Sequence, residues 1–289
     1  MRRDAPAGHS GHSSSGGPEP ARWPIGGWSR RPRAAYGVTM LLAHDSVGDG
    51  PAIVLVHGIT ECRQVWEPLI APLAQRYRVV AVDLRGHGSS AYGDTYDPIT
   101  LATDVAETMA SIDIQAPLIV GHSLGGVVAT ACAVVARPRA VLNVDQPLRL
   151  AAFKDGLAQL EPMLRGDEAS FSAAIDLIFE QMMGPLDAEQ AARIHTLRRP
   201  NPTVVLGIWG TVFESTPDEL DAAIQILTQA VAVPYLSLHG IDPGAEYSAW
   251  LRGCIPSSTV EVWPEQGHYP HLVQPSRFLE RLFDFDTAG

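Results

Sequence analysis

The chain has 289 residues, of which 46% are hydrophobic and 18% are charged, and its formal net charge is −11. This composition supplies enough apolar material for a well-buried core. The acidic balance argues against nucleic acids and anionic membranes as partners, because both are bound through clusters of basic residues. The three cysteines are far apart and form no CxxC pair, so we expect no disulfide framework, no metal site and no cofactor held by cysteine.

No segment has the features of a membrane span or a secretory signal. Apolar runs stay well short of the roughly 18 residues that a transmembrane helix needs. Arg2 and Arg3 are not followed by an apolar stretch, so a signal peptide is not predicted either, and we expect a cytoplasmic protein. Residues 1–33 are rich in Ser, Gly, Pro, Arg and His. Such a segment cannot bury enough apolar surface to offset its chain entropy, which predicts a disordered N-terminal tail.

After the tail, short apolar runs alternate with segments of helical spacing. The apolar runs predict strands at 38–43, 52–56, 77–82, 116–120 and 140–144. The helical spacing predicts helices at 66–76, 101–112 and 124–136. Short β-branched runs between helices are typical of a parallel sheet that is covered by helices on both faces.

The alternation stops between residues 146 and 230, where helical patterns follow one another without strands. It then resumes with a strand at 234–238, a helix at 247–251, a strand at 259–263 and a final helix at 276–283. We therefore predict an α/β core made of residues 34–145 and 231–289. The insertion at 146–230 is predicted to form a helical lid.

The segment Gly121-His122-Ser123-Leu124-Gly125 lies between a predicted buried strand and a predicted helix. In this context the G-x-S-x-G pattern indicates a sharp turn that holds the serine above the sheet at the start of the helix. The extra glycine at Gly126 makes a chance match less plausible. Ser123 is therefore predicted to be a nucleophile.

A serine hydroxyl needs a general base to become an effective nucleophile. His268 lies in Gly267-His268-Tyr269-Pro270, in the loop after the last predicted strand, and is the best of the ten histidines. His271 is three residues further along and is the alternative.

The histidine in turn needs a carboxylate that fixes its tautomer. Asp242 follows the predicted strand at 234–238 and is the favoured candidate. Asp145 ends the preceding predicted strand and remains the alternative, although it could equally cap a helix of the insertion.

An oxyanion hole requires two backbone N–H groups that point at the developing negative charge. One is expected from Leu124, directly after the nucleophile. The other is expected from Ile59, in the loop His57-Gly58-Ile59-Thr60 that follows the strand at 52–56.

Five segments together resemble the α/β-hydrolase superfamily over roughly residues 36–285. They are HGIT at 57–60, DLRGHGSS at 83–90, GHSLGG at 121–126, HGID at 239–242 and GHYPH at 267–271. The resemblance implies a mostly parallel eight-stranded sheet with helices on both faces, a helical cap, and hydrolysis through an acyl-enzyme. The chain order of serine, acid and histidine is the one this superfamily uses. Members that open epoxides or remove halides carry Asp at the nucleophile position, so Ser123 argues against those reactions.

The resemblance implies attack on a carbonyl carbon, and the apolar insertion favours a small to medium apolar ester or lactone as the substrate. Alternatives on the same triad are carbon–carbon bond hydrolysis, cofactor-free perhydrolase or haloperoxidase chemistry, and acyl transfer. A non-catalytic receptor with this fold is less favoured, because no member of the triad is missing. We expect a small-molecule partner and no nucleic acid, membrane, cofactor or metal; the oligomeric state is left open.

Overall fold

The computed structural model describes residues 40–287. The predicted disordered tail at 1–33 therefore lies outside the described residues, as does the start of the strand predicted at 38–43. Among the described residues, no helix is long and apolar enough to cross a membrane.

A twisted sheet of seven strands lies at the centre of residues 40–287, in the order β1-β3-β2-β4-β5-β6-β7. The strands are β1 (His44–Val47), β2 (Ala52–Val56), β3 (Arg78–Val82), β4 (Leu118–His122), β5 (Ala140–Val144), β6 (Tyr235–His239) and β7 (Ser258–Val262). Only β1 pairs antiparallel with its neighbour, and the other pairings are parallel. The predicted parallel α/β architecture is thus confirmed, whereas the expected eight strands are corrected to seven in this part of the chain.

The first strand lies later in the chain than the sequence predicts. Residues 40–43 are not a strand, and β1 begins only at His44. Three of the four backbone N–H groups donate to side chains instead of to a neighbouring strand. The three bonds are Met40 to Asp104 Oδ1 at 3.1 Å, Leu42 to Thr108 Oγ1 at 2.9 Å and Ala43 to Ser90 Oγ at 2.9 Å. An apolar run whose amides are satisfied by side chains has no need of a ladder partner.

Helices cover both faces of the sheet. The helices outside the insertion are α1 (Glu67–Ala74), α2 (Pro98–Ser111), α3 (Leu124–Val135), α10 (Tyr247–Cys254), α11 (Pro270–Val273) and α12 (Pro275–Thr287). One apolar core contains buried side chains of α2, α3 and α10, and a second contains those of α1 and α12. Every residue of β2, β4 and β5 is buried between these two layers, as expected for strands covered on both sides.

The predicted insertion is helical and contains no strand. Between β5 and β6 the chain forms α4 (Leu150–Leu157), α5 (Glu161–Leu164), α6 (Glu168–Met182), α7 (Ala188–Leu197), α8 (Pro202–Glu214) and α9 (Pro217–Gln229). We call this run of six helices the helical segment. It leaves the sheet at the carboxyl end of β5, the edge where Ser123 and Asp145 follow their strands, and crosses to the opposite edge to enter β6, because β5 and β6 are parallel. In parallel α/β sheets, ligands bind at this carboxyl edge.

Candidate active site

Ser123 stands between the end of β4 and the start of α3, in a backbone conformation that is rare for a residue with a side chain. Its φ is 52° and its ψ is −124°. Such a conformation costs about 1–3 kcal/mol and persists only where the surroundings enforce it. A Cβ on Gly121 would lie 1.9 Å from the Gly125 carbonyl oxygen, and one on Gly125 would lie 2.2 Å from the Val56 oxygen. The two glycines of the pattern are therefore required by the close approach of three backbone segments.

His268 lies in the loop between β7 and α11 and is 7% exposed. Its Nδ1 is 2.6 Å from Oδ2 of Asp145. A carboxylate oxygen can only accept a hydrogen bond, so Nδ1 carries the proton in this contact. In the neutral ring the lone pair is then on Nε2, the nitrogen that a general base needs to present to a nucleophile. The structure records no hydrogen bond between Nε2 and Ser123 Oγ within residues 40–287, a contact that is often long before substrate binds.

Asp145 follows β5 directly and is 3% exposed. A φ of 51° at this residue turns the chain sharply at the end of the strand. Its Oδ1 accepts from the backbone N–H groups of Gly240 at 2.8 Å and Ile241 at 3.1 Å. Burial opposes ionisation of the carboxyl group, but the hydrogen bond and charge interaction with His268 and the N–H of Ile241 outweigh it. The pKa of Asp145 therefore lies below its usual range.

The placement expected for Asp242 is corrected by the structure, which brings Asp145 to His268 instead. Asp242 lies three residues beyond the end of β6 and is exposed. Its Oδ1 accepts from the backbone N–H of Gly244 at 2.8 Å, within a surface turn. Asp145, which the sequence analysis kept as the alternative acid, is thus the residue that contacts His268.

Ser123, Asp145 and His268 line one cavity of about 180 Å³. Its wall is mostly apolar and includes Leu124, Val127, Leu150, Phe153, Ile178, Phe179, Met182, Trp209 and Val212. Helices α4, α6 and α8 of the helical segment contribute seven of these nine side chains. Among the described residues that line the cavity, none is Arg or Lys.

Ile59 and Leu124, whose amides the sequence assigns to an oxyanion hole, both line this cavity beside Ser123. Neither backbone N–H donates a hydrogen bond to another group in residues 40–287. Two amides without a protein acceptor at the edge of a cavity are available to a substrate oxygen.

The alternative base, His271, lies away from the cavity. It is fully buried and its ring is 4.8 Å from that of Trp66 and 4.7 Å from that of His122. Burial and the neighbouring His122 hold the pKa of His271 well below its usual range. The structure therefore gives His271 a place in the core beneath the active site.

Two residues of this site carried no recognised signal in the sequence. Glu61 and His122 are both buried, and His122 Nδ1 lies 3.4 Å from Oε2 of Glu61. His122 is the first variable residue of the G-x-S-x-G pattern, and Glu61 directly follows the HGIT segment but belongs to no motif itself. In residues 40–287, no group of three or more His, Cys, Asp or Glu side chains is arranged to hold a metal ion.

Four buried histidines around this edge of the sheet have lowered pKa values. Burial, with a smaller contribution from His57, lowers the pKa of His87 to about 3. Burial also lowers the pKa of His239 to about 4, against the attraction of nearby carboxylates. The pKa of His57 is lowered by burial, as is that of His271. All four are therefore held neutral in the folded protein.

We expect the free energy of unfolding to fall as the pH drops below about 6.5. The unfolded chain then binds protons that the folded state excludes, so each of these histidines removes about 1.4 kcal/mol per pH unit until its folded pKa is reached. Urea unfolding at pH 7.5 and pH 5.5 measures the effect. His87→Gln should reduce the pH slope, whereas the same change at exposed His195 should preserve it. Equal stability at both pH values would contradict the expectation.

Comparisons with known proteins agree with the fold and motifs described above. A family profile described as "Alpha/beta hydrolase family" matches residues 53–281. A pimeloyl-[acyl-carrier protein] methyl ester esterase of Aliivibrio salmonicida is 29% identical over 264 residues, covering 86% of this chain and 97% of that protein.

Two solved structures show the same fold at lower sequence identity. One is a putative aryl esterase from Burkholderia cenocepacia, with a TM-score of 0.71 and 22% identity, covering 86% of this chain and 94% of that one. The other, Est816, is described as an N-acyl homoserine lactone degrading enzyme. Its TM-score is 0.65 at 22% identity, over 84% of this chain and 96% of its own.

Proposed function

The chain belongs to the alpha/beta hydrolase family, and from this premise we propose that it is a serine hydrolase. In this proposal it cleaves a carboxylic ester or lactone of a small to medium apolar substrate through an acyl-enzyme. The observation that carries the proposal is the shared cavity. Ser123 on its strained turn and the hydrogen-bonded pair of His268 and Asp145 open into the same apolar space.

In the proposed reaction, His268 Nε2 takes the proton of Ser123 as its Oγ attacks the carbonyl carbon. The carbonyl oxygen becomes negative and accepts hydrogen bonds from the N–H groups of Ile59 and Leu124. The protonated histidine then donates its proton to the leaving alcohol, and an acyl-enzyme remains. Water, deprotonated by the same nitrogen, attacks the acyl group and regenerates the serine. Asp145 holds the imidazole in the required tautomer and stabilises its charged form.

In the same proposal, residues 146–230 act as a lid over the site. Support comes from the cavity wall, because Phe179 of α6 and Trp209 of α8 both line it. An apolar cover excludes water from the acyl-enzyme and strengthens electrostatic interactions inside the site.

The lining of the cavity favours an uncharged substrate. A bound carboxylate or phosphate would need a cationic partner, and no Arg or Lys lines the cavity in the described part of the chain. A dry cavity of about 150 Å³ accommodates benzene, so 180 Å³ gives room for a group of roughly seven heavy atoms on that scale. The relative named as a methyl ester esterase and the neighbour described as degrading a lactone are consistent with an ester or lactone bond.

The test is hydrolysis of a p-nitrophenyl ester series, from acetate to dodecanoate, together with labelling by a fluorophosphonate. We expect turnover of the short esters, loss of turnover after labelling, and attachment of the phosphonate to Ser123. Labelling of Ser123 without turnover of any ester would indicate that the same triad catalyses a different reaction at a carbonyl carbon. A folded protein that neither cleaves esters nor reacts with the phosphonate would contradict the proposal and favour a receptor.

Phe153→Ala should shift the optimum of this series toward longer acyl chains. Phe153 lines the cavity and packs edge-on against Trp209 with ring centroids 5.7 Å apart, so its removal enlarges the space without touching the triad. In the wild type we expect the optimum near butanoate to hexanoate. In Phe153→Ala the ratio of kcat/KM for octanoate to kcat/KM for butanoate should rise by about 10-fold. Added or missing methylenes in an apolar pocket have an effect of this size.

Phe283→Ala is the matched control, since Phe283 is also half-buried but packs on Tyr77, in the second core. The control should leave the chain-length profile unchanged. An unchanged profile in Phe153→Ala would show that the acyl group lies elsewhere in the cavity.

A further inference from the structure

A buried glutamate, Glu61, lies behind the active site and takes no part in the steps proposed above. It is 2% exposed, and both of its oxygens have partners. Oε2 accepts from the backbone N–H of Gly58 at 3.0 Å and lies 3.4 Å from His122 Nδ1. Oε1 accepts from the hydroxyl of Tyr269 at 2.7 Å. Burial raises the pKa of Glu61, but the interactions with His122 and Tyr269 outweigh it and hold the pKa well below its usual range.

Each partner of Glu61 is the immediate neighbour of a residue in the proposed machinery. Gly58 precedes Ile59, His122 precedes Ser123, and Tyr269 follows His268. One carboxylate therefore contacts the oxyanion loop, the nucleophile turn and the histidine loop.

A second contact ties the nucleophile turn to the histidine loop directly. His122 Nε2 lies 2.8 Å from the backbone carbonyl oxygen of His268. A carbonyl oxygen can only accept, so Nε2 donates, and the Nδ1 edge of the same ring faces Glu61. The space is tight, because a Cβ on Gly58 would lie 2.9 Å from Glu61 Oε2 and 3.2 Å from the Cβ of Ser123. The three segments are thus held at fixed distances around one carboxylate.

The same cluster reaches the helical segment through Arg198, one residue beyond the end of α7. A guanidinium N–H of Arg198 donates to the hydroxyl of Tyr269 at 3.0 Å, so the tyrosine bridges Arg198 and Glu61. The guanidinium carbon also lies 3.8 Å from the centroid of the Phe179 ring, and Phe179 lines the cavity. Arg198 is 8% exposed, so both of these contacts lie in the interior of the protein.

Two backbone hydrogen bonds fasten the helical segment to the same loops. The N–H of Arg199 donates to the carbonyl of Thr60 at 2.8 Å, in the oxyanion loop. The N–H of His268 donates to the carbonyl of Met182 at 3.0 Å, at the end of α6. The part of the helical segment between α6 and α8 is therefore joined to both loops that meet at Glu61.

From this geometry we infer that Glu61 is a positioning residue for the reaction. Its carboxylate fixes the oxyanion loop, the nucleophile turn and the histidine loop in one arrangement, and Tyr269 and Arg198 extend that arrangement to the wall of the cavity. The inference rests on the proposed function. Glu61, Tyr269 and Arg198 do not line the cavity, so the effect of Glu61 should appear in the reaction rather than in substrate binding.

Glu61→Gln tests the inference, because it keeps the shape of the side chain and removes its charge. The amide has one oxygen and one NH₂ group, so it can accept from Gly58 or from Tyr269 but not from both, and one of the two loops loses its acceptor. A shifted oxyanion loop weakens contacts made mainly in the transition state, and loss of one such donor costs about 10²-fold in kcat. We expect kcat for p-nitrophenyl butanoate to fall by about that factor while KM stays within about two-fold of wild type. The rate of fluorophosphonate labelling should fall in parallel.

Glu261→Gln is the matched control. Glu261 accepts from Arg281 at 2.6 Å on the surface of β7, so the variant also removes an ion-paired carboxylate, but far from the cavity lining. Its kcat and KM should equal those of the wild type.

Tyr269→Phe provides a second and milder variant. It removes the hydroxyl between Glu61 and Arg198 but leaves the contacts of Glu61 with Gly58 and His122 in place. We expect a smaller loss of kcat, about 10-fold, again with KM preserved. If Glu61→Gln does not fold, the kcat of Tyr269→Phe decides the question.

The outcomes separate the inference from the proposed function. An active wild type with unchanged kcat in the folded Glu61→Gln protein, or in Tyr269→Phe where that variant decides, would overturn the inference alone. A fall that appears in KM and not in kcat would overturn it as well. A wild type that neither hydrolyses the ester nor takes up the phosphonate would overturn the proposed function and this inference with it.

Discussion

Ser123→Ala should abolish ester hydrolysis while leaving the fold intact. The methyl group of alanine fits wherever the serine side chain fits, and the strained backbone is enforced by the packing of Gly121 and Gly125 rather than by the hydroxyl. Without Oγ no acyl-enzyme can form, and loss of a triad serine costs about 10⁶-fold in kcat in a well-studied serine protease. We expect a loss of about that size here, limited by the background rate of the ester. Hydrolysis of p-nitrophenyl butanoate measures the activity, and a thermal melt of the same preparation measures whether the fold is intact.

The labelling experiment gives the matching control. The fluorophosphonate should modify the wild type at one site and leave Ser123→Ala unmodified. Ester hydrolysis that survives in Ser123→Ala would show that another group attacks the carbonyl or activates water directly. In that case the strained turn would have to be explained by a structural role.

The fold was predictable from the sequence to the extent that local patterns determine it. The buried runs of β2, β4 and β5 are short, β-branched and flanked by helical spacing, and the strand at Ala140–Val144 has the predicted bounds. The helical segment was predictable for the same reason, since no alternating apolar run interrupts it. Local patterns failed at the first strand. There the amides of Met40 and Leu42 bond to side chains 64 and 66 residues further along the chain, which no local window contains.

A site residue was predictable from the sequence where a single short motif contains every residue that its local geometry requires. The turn at Ser123 requires glycines two residues away on either side, and both are in the pattern. The buried Glu61 carries no such signal, because its partner Tyr269 lies 208 residues away in the chain. An acidic residue in a loop is ordinarily solvated, and only the folded arrangement shows that this one is enclosed.

The choice between Asp145 and Asp242 also depended on contacts between residues that are far apart in the chain. Strands β5 and β6 are neighbours in the sheet, so both residues lie near the same edge. What distinguishes them is the left-handed φ of 51° at Asp145, which turns the chain immediately after β5. Asp242 lies further from its strand, in a turn that uses its carboxylate locally. Sequence position alone favours Asp242, whereas the structure places Asp145 against His268.

Asp145→Asn should reduce kcat by about 10⁴-fold, as expected when the catalytic histidine is held in the wrong tautomer. The reason is specific to this site. Oδ1 of Asp145 accepts from the backbone N–H groups of Gly240 and Ile241, so the oxygen of an asparagine must take that position. Its NH₂ group then faces His268 Nδ1, which can only accept from it. The proton is forced onto Nε2, and the ring can no longer take a proton from Ser123.

Asp242→Asn is the control that the structure offers, because Asp242 is exposed and bonds only within its own turn among the described contacts. We expect its kcat to stay within about two-fold of wild type, as for most exposed substitutions. Fluorophosphonate labelling should slow in Asp145→Asn and not in Asp242→Asn, since labelling also needs the base. A large loss in Asp242→Asn with an active Asp145→Asn would mean that the histidine loop exchanges partners during turnover. The contact of 2.6 Å between His268 and Asp145 would then describe a resting arrangement, and the acid that the sequence favoured would be the one that acts.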